Sequence, residues 1–219
     1  MRSPVDEALA DLARAFDTLG VGWFLFGAQA AIIYGSTRVT EDIDVTVALG
    51  DHPPKALAAA LARAGFTHRF GDSAAFVEKT RVLPVVHGPT GMPVDVVLAG
   101  PGLEELFLRR RRRHRRGGAS IPVASPEDLI VMKLLAGRPR DLEDVRAVLR
   151  GQGEKLDLGS LVETLRLLEE ALAQDDLQPL LARLRREASR SVRAPIPKRR
   201  ATVRTATSTR TRTATKKRR

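Results

Sequence analysis

The stretch FGAQAAIIYGSTRVTEDIDVTV, residues 26–47, decides how the rest of the chain is read. Gly27 follows Trp23-Phe24-Leu25-Phe26, an apolar run that reads as a short buried strand. Gly27 to Tyr34 is rich in small residues and reads as one or two helical turns, stopped by Gly35. Asp42 to Leu49 then alternates Asp and Thr with Ile and Val, the pattern of a strand with one polar and one apolar face. In a strand, residues i and i+2 share a face, so the carboxylates of Asp42 and Asp44 point the same way. Two such anions repel each other unless a cation sits between them.

A third acid extends the pattern. Asp95 lies in Pro93–Leu98 among Val94, Val96 and Val97, where packing gives no reason for a charge. If that strand lies beside Asp42–Leu49, three carboxylates meet. Mg²⁺ takes oxygen ligands and usually combines one or two carboxylates with substrate phosphates. A site of this kind suits two metal ions that activate an attacking hydroxyl and neutralise a leaving pyrophosphate. An Asp-x-Asp pair alone reads equally well as a solvated strand face. Asp95 tips the balance toward a metal site, with Mg²⁺, or Mn²⁺ in its place.

Outward from this centre the elements alternate. Ser3-Pro4-Val5-Asp6 reads as a capping box opening a helix to about Thr18. Pro53 to Ala64 is an alanine-rich helix, and Phe66–Phe70 and Ala74–Lys79 read as strands. Val82–His87 and Pro93–Leu98 flank Gly88-Pro89-Thr90-Gly91, a hairpin signal. Gly102 to Arg116 reads as a helix ending in arginines, and Ser120–Ala124 as a short strand. Ser125-Pro126-Glu127-Asp128 caps a helix to Ala136, and Arg140–Leu149 forms the next. Leu158–Gln174 and Leu177–Ala188 have helical periodicity.

Composition excludes several classes. With no cysteine among 219 residues, disulfides and thiolate metal sites are out. No apolar run is long enough to cross a bilayer, and the N-terminus lacks a signal-like core, so a cytoplasmic protein without membrane contact is expected. The four histidines show no metal-ligand spacing, and no serine–histidine–acid pattern or P-loop is legible. The net charge of +11 comes from the C-terminus: residues 190–219 hold 12 Lys and Arg and no acid. The remaining 25 basic residues face 26 acidic ones, so the folded part is near neutral. A segment so poor in large apolar residues is expected to be disordered.

Phe26-Gly27-Ala28-Gln29-Ala30 and Tyr34-Gly35-Ser36-Thr37-Arg38 through Asp42-Ile43-Asp44-Val45 together resemble the nucleotidyltransferase superfamily, most closely its AbiEii-type abortive-infection toxin branch. Ser125–Lys133, Ala136-Gly137-Arg138 and Asp141-Leu142-Glu143-Asp144 resemble the later Lys-then-Asp motifs of the same branch. The resemblance covers about residues 20–150. It implies an α/β (α+β) nucleotidyltransferase fold, a mixed sheet flanked by helices, over 1–150. A helical extension over 151–189 and the disordered basic tail over 190–219 follow it.

The same resemblance implies that Asp42 and Asp44 hold Mg²⁺ and that Asp95 is the third ligand or the base. Gly27 and Ala28 would approach the triphosphate at a helix N-terminus, with Ser36 and Arg38 near phosphates. Lys133 would lie near phosphate and Asp141 at the rim. The implied reaction moves a nucleotidyl group from an NTP to a hydroxyl, with tRNA or another RNA as acceptor and an antitoxin as partner. Ala28 departs from the Gly-Gly or Gly-Ser pair of the branch, which keeps open a second reading: an inactive domain that binds nucleic acid. Read alone, Lys133 is better taken as a snorkelling surface lysine, and ordinary helix ion pairs explain Asp141 and Asp144. The run Arg109–Arg116 is either a solvated helix end or an RNA contact that relieves its self-repulsion.

Overall fold

Ser3 caps the first helix as its sequence suggests: its hydroxyl accepts the Asp6 N–H, and α1 runs over Pro4–Leu19. The computed structural model describes residues 3–69 and 73–193. The chain continues through β1 (Gly22–Phe26), α2 (Gly27–Ile33), β2 (Ile43–Ala48), α3 (Pro54–Arg63), β3 (Phe66–His68) and α4 (Ser73–Thr80). Then come β4 (Val82–His87), β5 (Met92–Leu98), α5 (Leu103–Arg110), β6 (Arg112–Arg116) and β7 (Ala119–Val123). Four α-helices close the described chain: α6 (Pro126–Ala136), α7 (Pro139–Gln152), α8 (Leu158–Leu172) and α9 (Leu177–Arg193).

The strands form one seven-stranded mixed sheet in the order β3-β4-β5-β2-β1-β7-β6. β2 and β5 sit at its centre, and their Ile43, Val45, Val47, Val94 and Val96 are fully buried. The expected β4–β5 hairpin is present, antiparallel from Val82↔Val97 to His87↔Met92. α6 is buried on most sides, with Leu129, Ile130, Val131 and Leu134 in the core, which is why apolar residues are spread around it. α8 and α9 add Leu161, Leu165, Leu181 and Leu184 to the same hydrophobic cluster. No described helix is long and apolar enough to cross a membrane.

Two expected element types and one boundary are corrected. Ala74–Lys79, expected as a strand, lies within helix α4. Ala, Glu and Lys favour a helix there, and the two β-formers Phe76 and Val77 do not outweigh them. Gly102–Arg116, expected as one helix, is a helix only to Arg110; Arg112–Arg116 is strand β6. Arginines three and four apart repel on a helix, whereas a strand sends neighbours to opposite faces. Gly117 and Gly118, both with positive φ (54° and 84°), supply the two-residue turn that pairs β6 with β7. That Gly-Gly was the signal to read. α9 also continues to Arg193, past the expected tail boundary at 190, and residues 194–219 lie outside the described residues.

Candidate active site

The pairing of β2 builds the site. β2 runs antiparallel to β1 and parallel to β5, a register that sets Phe26 opposite Asp44 and Asp44 opposite Asp95. Residues opposed across a ladder share a face, so Asp44 and Asp95 stand side by side. Asp42 precedes the strand by one residue. All three line one cavity of about 270 Å³. Gly27 and Ala28, at the start of α2, complete this wall. The opposite wall comes from the α6–α7 corner: Lys133, Arg138, Arg140 and Asp141, with Arg38 from the loop before β2.

Gly27 is fixed by Asp44. Its φ is +67°, and a Cβ there would stand 2.7 Å from Asp44 Cγ and closer still to Oδ2. The glycine therefore lets β1 turn into α2 directly over the carboxylate. Ala28 is buried and lines the cavity through its single methyl group.

The three acids differ in setting. Burial pushes the Asp44 carboxyl up to about 6, and the charges of Asp42 and Asp95 push it the same way. Burial also raises Asp95, opposed by Arg69, whose guanidinium bonds its Oδ1. Asp42 accepts the hydroxyl of Thr40. As the side chains stand, no three acidic, histidine or cysteine groups among the described residues are gathered closely enough to hold a metal ion. The donor chemistry nevertheless suits a hard divalent cation: carboxylate oxygens only, with Asp44 destabilised as an anion by its neighbours. The fit is to Asp42 and Asp44, because Arg69 already occupies Asp95.

The later motif residues form a buried ion network. Lys133 Nζ donates to Asp141 Oδ1 at 3.0 Å and lies 2.8 Å from Asp144 Oδ2. Ser36 Oγ donates to Asp144 Oδ1 at 2.9 Å, and Arg38 to Oδ2 at 3.2 Å. Arg138 Nε donates to Asp141 at 2.5 Å. Burial alone would raise the Asp141 carboxyl, but hydrogen bonds from Arg138 and Lys133 hold it below the usual range. Lys133 is thus a buried cation and not a snorkelling one, at 6% exposure. Asp144 pairs with Lys133 and Arg38, from other elements, not with Arg140 or Arg146 on its own helix. Ser36 is spent on this network and does not line the cavity.

Sequence reasoning assigned no site role to four contributors, Arg69, Arg138, Arg140 and Asp144. Arg69 follows a short strand and carries no periodic or motif signal. Asp144 was legible as a motif residue, but two of its partners, Ser36 and Arg38, are more than 100 positions away in the chain. Arg138 and Arg140 flank Pro139 at the entry to α7, a position that aims them at the sheet. Three of the seven arginines in the run form ion pairs: Arg110 with Asp128, Arg112 with Glu127 and Arg116 with Asp6.

The seven-stranded mixed sheet flanked by helices, with Asp44 on its central strand and Asp95 beside it on β5, is that of a nucleotidyltransferase-fold protein. The chain belongs to the AbiEii family of nucleotidyl transferase toxins of type IV toxin–antitoxin systems, whose model matches residues 10–212. No curated protein sequence matches it. Among solved structures, the solution structure of the antibiotic-resistance factor ANT(2'')-Ia is similar at 15% identity and a TM-score of 0.52, covering 79% of this chain and 97% of its own. An antigenic nucleotidyltransferase-like protein from Paracoccidioides brasiliensis is similar at 17% identity and a TM-score of 0.50, covering 83% and 94%. At these identities the two structures bear on the fold.

Proposed function

We propose that this protein transfers a nucleotidyl group from an NTP to a hydroxyl of tRNA or another RNA in the cytoplasm, and that an antitoxin opposes it. One observation carries the reading: Asp44 and Asp95 stand side by side in parallel register, under Gly27, on the anionic wall of a cavity whose other wall is cationic. A metal–triphosphate complex has the same two poles. The acceptor oxygen attacks the α-phosphorus, the bond to the β-phosphate breaks, and pyrophosphate leaves. Asp42 and Asp44 would hold Mg²⁺ or Mn²⁺, which when bound neutralises developing charge on the phosphates. Asp95 is the base that takes the acceptor proton; to serve as a third metal ligand it must first leave Arg69. Burial raises its affinity for that proton. Lys133, Asp141 and Asp144 hold the helical wall in place, and Ser36 and Arg38 tie the loop bearing Asp42 to it.

A second reading, a domain that binds nucleic acid without catalysis, draws on Ala28 and on the hold of Arg69 over Asp95. Incubation with each labelled NTP, Mg²⁺ and total RNA separates the two. Metal-dependent label in RNA supports the transferase, and RNA binding without incorporation of any NTP supports the second reading.

A further inference from the structure

The cations of the helical wall are not equivalent. Lys133 is buried and bonded to both Asp141 and Asp144. Arg38 is drawn toward Asp144, and Arg138 toward Asp141. Three cations are thereby set against two carboxylates, which leaves this wall with surplus positive charge. Arg140 adds to it. Its side chain lines the same cavity, is exposed, and makes no hydrogen bond or ion pair with any other described residue.

An exposed arginine is ordinarily only solvated. Arg140 differs in its position. It faces a cavity whose opposite wall carries Asp42, Asp44 and Asp95, and it stands two residues from Arg138, on which the charge of Asp44 acts. Pro139 between them fixes the backbone at the helix entry, so both arginines spring from one corner. Guanidinium offers a planar fork of donors suited to phosphate oxygens. Lys133 also lines the cavity, but it is buried and has at most one N–H left after Asp141 and Asp144.

We infer that Arg140, with Arg138 beside it, binds phosphate oxygens of the substrate, and that Lys133, which the family motif would place on the phosphate, instead fixes the corner carrying these two arginines. The inference rests on the transferase reading and names which residues of its cavity meet the polyanion.

The test compares the full chain with its Arg140→Ala and Arg140→Lys variants. Calorimetry measures binding of inorganic tripolyphosphate with Mg²⁺, steady-state kinetics measure KM and kcat for the NTP, and a third titration measures an RNA oligomer without NTP. Because Arg140 is exposed, melting temperatures are expected to match. For Arg140→Ala, tripolyphosphate affinity should fall roughly tenfold and the NTP KM should rise by a similar factor, more than kcat falls. Arg140→Lys should recover part of this, since it keeps the charge and loses the fork. A loss confined to RNA affinity would assign the phosphate to the acceptor. Equal binding of tripolyphosphate and RNA by wild type and Arg140→Ala would overturn the inference. A wild-type protein that binds tripolyphosphate yet transfers nothing would overturn the transferase reading instead.

Discussion

Asp44 carries a conflict that the fold maintains. Its carboxyl is pushed up to about 6 from an ordinary 3.8, first by burial and then by Asp42 and Asp95. A carboxyl whose folded value is raised binds more protons folded than unfolded. Stability is therefore lost as pH climbs from about 4 through about 6, and the loss persists above that. A rise of this size corresponds to a loss of up to roughly 3 kcal/mol at neutral pH. Asp44→Asn keeps the shape and removes the charge. In metal-free buffer this variant should melt higher than wild type at pH 7.5 and lose the advantage by pH 4, while nucleotide transfer disappears. A variant that melts lower at pH 7.5, or still transfers, contradicts this account of Asp44. Gly27 belongs to the same argument. Gly27→Ala puts a methyl group into the Asp44 carboxylate at a backbone angle that costs alanine about 1–2 kcal/mol. Lower melting temperature together with lost transfer is expected, and retained transfer would show that Asp44 need not stay where Gly27 places it.

Buried ions, beside the hydrophobic core, join the elements of the helical wall. Asp144 on α7 joins Lys133 of α6 to Ser36 and Arg38 of the loop that leads to Asp42. Removing one partner of a buried pair strands the other and typically costs about 3–5 kcal/mol, whereas apolar replacement of both is often near neutral. Asp144→Leu should therefore lower the urea midpoint strongly. Lys133→Met in the same chain should restore much of it, Asp141 keeping Arg138 as partner. A double variant no more stable than the single one would deny the coupling. The edge strand β6 shows another use of charge. Its open backbone row carries Arg112, Arg113, Arg115 and Arg116, and such charges deter pairing with a second chain. Three arginines of the run, Arg110, Arg112 and Arg116, are also ion-paired within the fold.

Across the whole molecule, what was legible in the sequence followed local periodicity, and what was hidden depended on distant contacts. The alternation in residues 42–49 gave β2, and the valines around Asp95 gave a buried strand, so the meeting of Asp42, Asp44 and Asp95 at one cavity could be anticipated. Partners such as Arg69 for Asp95 or Ser36 for Asp144 arise from folding and leave no spacing to read. Charge is the other whole-molecule property, and it is unevenly spread. With 12 Lys and Arg and no acid over residues 190–219, against near balance elsewhere, the excess positive charge sits at one end of the chain. No aromatic residue is present in that segment to stack on bases, so any hold on RNA must come from phosphate contacts and released counterions. Each phosphate neutralised on a single strand contributes roughly −0.7 to the log–log salt slope of affinity. Removing residues 190–219 should flatten that slope while leaving transfer to a short acceptor at the Asp42–Asp44–Asp95 cavity unchanged, since the cavity's described lining runs from Phe26 to Asp141. RNA affinity measured at several salt concentrations, with and without the segment, decides the matter: coincident slopes would assign RNA contact elsewhere, with Arg109 and Arg115 of the arginine run the next cations to test.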